Sequence, residues 1–393
     1  MVDLANIKNR CFNSRGHVQY LDGNANVVHE QEFIKGCRRK IGKKVFIEFF
    51  DINNNFIARY DIYKLPTDKI LEMPVLDLAR CNLTELPDMS MLRVFNFNCS
   101  ANKIENLVGC PQTAKRIMCT YNDNLTSLRG APANVDEFKC GYCRELENLI
   151  GGPKLAVSYE IWCNNKLASL VGAPERVFSF GLTNCNAIQN LMGGPKFARD
   201  YSVQYCENLV SLAGAPDVVE DTFFLANNPK LKNLIGGPKK VGGYVIKNNN
   251  GMTSVAGAAE TVDKFVCQYN VSLVDLVGGP KSATFYDVSY NPNLVSLRGC
   301  AENVEIFIAH TCDKLETLEY APKNAKQYRV YRNPKLKSLA HINPATQKID
   351  YTDCPLLVGA PKQLSHHEKH EMLRQAYLDN NQEFIKQFYG HQK

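Results

Sequence analysis

The chain has 393 residues, 45% hydrophobic and 22% charged, a globular balance that argues against wholesale disorder. Its net charge of +6 is mild for this length, so an acidic partner is permitted but not demanded. No run of about 18 apolar residues occurs, and Asp3, Lys8 and Arg10 interrupt the opening MVDLANIKNRCF, so neither a membrane span nor a secretory leader is expected. With no export signal, the 15 cysteines point to reduced thiols in a cytoplasm.

Residues 1–72 follow no repeat. GHVQYLDGNANVVHEQEF and KVFIEFFDINNNFIARYDIY alternate apolar and polar residues around Gly/Asn-rich turns, which predicts two hairpins in a small β-rich capping domain. The basic stretch GCRRKIGKK, residues 36–44, reads as a solvated hairpin turn, with a phosphate-binding loop as the competing reading.

From residue 73 to residue 362 the chain repeats. A leucine before a glycine-containing turn recurs at Leu86, Leu107, Leu128, Leu149, Leu170, Leu191, Leu212, Leu234, Leu276, Leu297, Leu318 and Leu339, with Val255 in the same column. Every step is 21 residues except the one of 22 between Leu212 and Leu234, and a shortened copy ends at Leu357. Each unit runs aromatic-x-apolar-x-x-(Asn or Cys)-x-x-Leu-x-x-Leu-x-Gly-(Ala or Gly)-Pro, as in YEIWCNNKLASLVGAP. A strand this short cannot bury its apolar face alone, but stacked units share one core and one parallel sheet. Gly and Pro break the chain at each corner, leaving no room for a long helix.

The stretch LDLARCNLTELP, residues 76–87, resembles the leucine-rich-repeat consensus. That resemblance implies a mainly β solenoid of about 13–14 short turns, its parallel sheet lining a concave binding face. Repeats with this Leu-x-Gly-Ala-Pro corner also resemble proteins of tailed phages and other large viruses.

A longer period overlies the first. The strand-opening aromatic alternates Phe138, Tyr159, Phe180, Tyr201, Phe223, Tyr244, Phe265, Tyr286, Phe307, Tyr328. Lys154, Lys196, Lys239, Lys281 and Lys323 interleave with Glu175, Asp217, Glu260 and Glu302 after the corner. Acids filling every gap argue against a basic stripe for nucleic acid and for a ladder of opposite charges.

Cys140 and Cys143 form a C-x-x-C in FKCGYCRELENLIGGPK. Cys143 stands in a column with Cys81, Asn122, Asn164, Cys185, Cys206, Asn228, Asn249, Asn270, Asn291, Cys312, Asn333 and Cys354. In leucine-rich repeats this side chain is buried and bonds the turn backbone. Cys140 shares an inward strand column with Cys119, Ile161, Leu182, Val203 and Cys267, so the spacing is the overlap of two core columns. No second C-x-x-C supplies the further ligands that zinc needs, and no metal or other cofactor is expected.

The column just before the ladder holds Tyr121, Tyr142, Tyr205, Tyr269 and Tyr290 with Asn184, Asn227 and Asn248; the adjoining one holds Trp162, the only tryptophan, and Tyr331. Aromatics beside amides on an exposed concave face suit a protein ligand, ahead of a glycan or nucleic acid. Residues 363–393 predict a helical cap, since Ser365 and Glu368 make a capping box. No catalytic motif survives, so the expectation is a monomeric, non-catalytic binding scaffold. The alternatives are a structural or adhesion component of a viral particle, and an enzyme or nucleic-acid binder working through the N-terminal domain.

Overall fold

A computed structural model describes residues 9–12, 17–21, 24–32, 35–41, 44–51, 53–343, 346, 348–358, 371, 374 and 375. The protein is a mainly β parallel solenoid of about 13 turns with a repeat of about 21 residues. Two compact units divide it: Met1–Phe224 with Gly236–Lys239, and Leu225–Ile235 with Lys240–Lys393.

The first unit opens on antiparallel strands β1 (Asn9–Phe12), β2 (His17–Leu21) and β3 (Val27–Glu32), followed by an antiparallel meander of β4 (Lys35–Ile41), β5 (Lys44–Phe50) and β6 (Phe56–Asp61). The expected β-rich N-terminal region is therefore present, and the basic stretch lies on β4 and β5. Parallel pairing begins at β7 (Leu71–Asp77) and continues through β8 (Leu92–Asn98), β9 (Arg116–Met118), β10 (Asn134–Gly141), β11 (Leu155–Trp162), β12 (Arg176–Thr183) and β13 (Phe197–Gln204). β14 (Val218–Ala226) carries the extra residue of the 22-residue step. Its inward core positions are Val219, Phe223 and Leu225, four and then two apart, where the corresponding ones of β10 are Val135, Phe138 and Cys140, three and then two apart; the last residues, Ala226 and Gly141, are buried as well. The second unit stacks β15 (Lys240–Lys247), β16 (Thr261–Gln268), β17 (Ser282–Asp287), β18 (Ile306–Ile308), β19 (Gln327–Arg329) and β20 (Lys348–Asp350) in parallel.

The register places identical columns opposite one another, with Phe138 beside Tyr159 and Cys140 beside Ile161. Between strands the chain runs in turns, and the described residues from 71 to 358 form no helix. The helical cap expected over 363–393 is not supported. It lies outside the described residues apart from positions 371, 374 and 375, which are helical in conformation but too few to delimit a helix.

Each turn is closed by its ladder residue. Asn164 Oδ1 accepts from the Cys143 backbone N–H at 2.8 Å, and its Nδ2 donates to the Cys140 carbonyl at 3.2 Å. Asn249, Asn270, Asn291 and Asn333 repeat the pattern in the second unit. Cys143 donates Sγ to the Cys119 carbonyl at 3.3 Å, and Cys312 and Cys354 do the same to Val288 and Val330. A thiol thus replaces the donating half of an amide, which is why cysteine can alternate with asparagine here. Asn102 belongs to the same ladder, accepting from Leu83 N–H at 3.0 Å.

The two-turn period has a packing cause. In the sequence, a corner reading Gly-Gly-Pro precedes Tyr159, Tyr201, Tyr244 and Tyr286, while Ala or Cys fills the second corner position before the Phe strands. The rings stack inside the core, Phe138–Tyr159 at 5.0 Å and Phe180–Tyr201 at 4.7 Å between centroids. The extra hydroxyl takes the space of the missing methyl: a Cβ built on Gly152 falls 2.9 Å from Tyr159 Oη, and one on Gly194 falls 3.2 Å from Tyr201 Oη. Tyr328, whose corner has Ala321, instead donates its hydroxyl to the Pro322 carbonyl. Gly152→Ala alone is expected to cost about 1–3 kcal/mol by overpacking. In a Tyr159→Phe background that cost should shrink to about 0.5 kcal/mol or less, because the phenylalanine vacates the space. Urea unfolding of the four proteins in the cycle measures the coupling, and additive single effects would refute this origin of the alternation.

Candidate functional site

The tyrosine column does not lie on the strands. Tyr121, Tyr142, Asn184, Tyr205, Asn227, Asn248, Tyr269 and Tyr290 all have φ between +54° and +59°. In the regular turns they follow the last strand residue, as Tyr142 follows Gly141 and Tyr205 follows Gln204. Strand alternation carried one residue too far predicts a sheet position, whereas the left-handed conformation ends the strand and makes a corner. Trp162, in the adjoining column, is the last residue of β11, while Tyr331 follows the shorter β19.

At these corners the rings stand out into solvent. Tyr121 is 55% exposed, and its ring stacks on Tyr142 at 4.4 Å with 6° between planes. In the second unit Tyr269 stacks on Tyr290 at 4.4 Å and 10°. Tyr290 meets His310 edge-on at 4.7 Å, and His310 stacks on Tyr331 at 4.2 Å. His310 is largely buried, and burial pushes its imidazole below the ordinary 6.5, so it packs here as a neutral ring. Stacked rings cover one another's faces and offer their edges and hydroxyls outward.

The C-x-x-C sits in the core. Cys140 and Cys143 are buried, and their sulfurs are 3.8 Å apart as free thiols. The hydrogen bond to Cys140, together with burial, pushes the Cys143 thiol up; the bond to Cys119, with burial, does the same to Cys140. The charge ladder also forms, with Lys239 Nζ 2.9 Å from Asp217 in the first unit and Lys281 paired with Glu260 in the second. These pairs are strongly exposed, so they set register more than they add stability.

Two features escape the sequence reading. In the first unit Val108, Ile150, Val171 and Met192, each between the second leucine and the corner glycine, are exposed aliphatic residues of one column, which Arg129 interrupts. A cleft of about 630 Å³ also opens in that unit beside Trp162, between the tyrosine corners and the outward face of β11, β12 and β13. The register sets Trp162 opposite Gly141 and Glu160 opposite Gly181, pairings that sequence spacing alone does not reveal.

Comparison with protein-family models, with curated proteins and with solved structures returns no match for this chain.

Proposed function

We propose that the protein is a non-catalytic binding scaffold, a solenoid of leucine-rich-repeat type that offers its tyrosine corners to a protein partner. One observation carries this reading. A left-handed φ favours Gly or Asn, and for a bulky residue it costs about 1–2 kcal/mol. Asn184, Asn227 and Asn248 obey that preference, yet five other turns place tyrosine there, with Tyr121, Tyr142, Tyr205 and Tyr269 strongly exposed. Residues kept in unfavourable backbone conformations concentrate where function requires them. A stacked tyrosine pair gives a partner a rigid amphipathic surface whose ordering is already complete before binding. The ladder of buried amides and thiols supports the leucine-rich-repeat assignment. Thirteen free cysteines among the described residues fit a reducing compartment.

The test compares the intact chain with a Tyr142→Ala, Tyr205→Ala, Tyr269→Ala variant in pull-downs from native lysate, after circular dichroism has shown both to be folded. A partner held by the intact chain and released by the variant supports the reading. Equal capture would move recognition away from the corners.

A further inference from the structure

The cleft beside Trp162 has a chemistry of its own. Strand register arranges its outward positions as two rows of three, Glu160–Gly181–Ser202 and Trp162–Thr183–Gln204. Two strand spacings make such a grid about 10 Å across, the scale of a sugar ring with its substituents. Gly141 seats the indole: a Cβ there would fall 2.3 Å from Trp162 Cε2 and 2.5 Å from Nε1. The ring is thereby laid over the Gly141 backbone, at one side of the cleft it lines. Gly181 forms the floor, where an added Cβ would meet nothing closer than Glu160 Cγ at 3.7 Å. The rim is ordered before any ligand arrives, since Gln204 Nε2 donates to Ser202 Oγ at 2.9 Å.

We propose that this cleft binds a neutral carbohydrate chain, one pyranose ring lying on Trp162. Charge and hydrogen-bonding capacity select this ligand. Glu160 is the only charged residue lining the cleft, and its neighbour Lys139 on β10 lies outside the lining, so a phosphate backbone would meet a carboxylate and no cation there. Hydroxyls and an amide around an aromatic plane match a ligand whose faces are C–H and whose edges are hydroxyl groups, each both donor and acceptor. Tyr142 and Tyr205 line the cleft at its edges, whereas Trp162 stands within the grid of hydroxyl and amide side chains, so the tryptophan is taken as the stacking platform. The cleft shares Tyr142, Asn184 and Tyr205 with the protein-partner surface, and Gly181, which lies outside that surface, is where the two are tested apart.

Trp162 is also the chain's only tryptophan, so emission excited at wavelengths where the 18 tyrosines do not absorb reports on this cleft. Cellohexaose, chitohexaose, laminarihexaose and maltohexaose would each be titrated, with calorimetry in parallel. A saturable signal is expected with at least one of them. Gly181→Val fills the floor at a position with ordinary φ and room for a side chain, in a strand that favours β-branched residues. It should keep the thermal unfolding transition and weaken binding by about tenfold or more. Gly141→Ala, which displaces the indole, should also weaken it. Silence in both measurements with all four sugars, or equal binding by Gly181→Val, overturns the proposal. Either result leaves the tyrosine corners untouched, because these variants alter none of them.

Discussion

Raising the pH from about 8 to about 11 is expected to unfold this protein cooperatively, with stability constant below pH 9 and falling steeply above it. The cause is the buried thiols. Burial pushes Cys206 up to about 11 and Cys312 up to about 12 from the ordinary 9.0, and it raises Cys185 and Cys267 as well. A thiol whose folded pKa lies above its unfolded value holds its proton in the fold while the unfolded chain releases it. The stability it contributes is therefore fully present below pH 9 and is lost as pH climbs through the window toward the folded value. Each such thiol removes about 1.4 kcal/mol per pH unit inside that window. Four acting together remove roughly 5–6 kcal/mol per unit, comparable with the whole stability of an ordinary domain. Urea midpoints followed by circular dichroism across this range measure the slope, and thiolate absorbance should appear together with unfolding. Stability unchanged to about pH 10.5 would mean that the thiols are already ionised or solvated. The same experiment addresses Cys140 and Cys143, because a metal-bound pair would carry thiolates at neutral pH.

Which parts of this arrangement can be read from sequence depends on which contacts are local. Leu149, Leu170 and the glycines after them recur at the solenoid period because every turn repeats the same contact, so the stack and its corners are legible. The Asn/Cys ladder is legible for the same reason. Asn102 escapes because the segment from ladder residue to leucine is one residue shorter in the early turns, although the leucines keep their step of 21: five positions separate it from Leu107, where six separate Asn122 from Leu128. The corners occupied by Tyr142 and Tyr205 escape because tyrosine gives no signal for a left-handed φ, unlike glycine or asparagine. Alternation therefore runs on past the true end of the strand. The coupling of Tyr159 to Gly152 needs two residues seven apart to be compared across every turn, and only their packed distance gives the comparison meaning. The Trp162 cleft is less legible still. It depends on residues 21 apart, Gly141 and Gly181 each facing a neighbour that only the register supplies.

The corner glycines set the second large effect. Gly172 has φ +101°, beyond the values near +55° that the tyrosine corners adopt. A Cβ added there would fall 2.3 Å from the Leu149 carbonyl carbon and 2.5 Å from the Ile150 nitrogen, all backbone of the preceding turn. No side-chain rotation can relieve that overlap, so the Leu149–Ile150 peptide must move. That movement strains the bonds that seat the corner, among them Leu149 N–H to the Val171 carbonyl at 2.9 Å. Gly172→Ala should therefore cost more than about 3 kcal/mol, combining backbone strain with a displaced turn. Ala173→Gly, one residue on, should cost about 1 kcal/mol or less, since it removes only a methyl and adds backbone freedom. Because a repeat couples mainly to its neighbours, the damage should be local. Hydrogen exchange in Gly172→Ala should speed up over about residues 149–173 before it does so in β4 to β6. A Gly172→Ala protein with an unchanged urea midpoint would mean that successive corners are not in backbone contact, and the stacking distance inferred for every turn would be wrong.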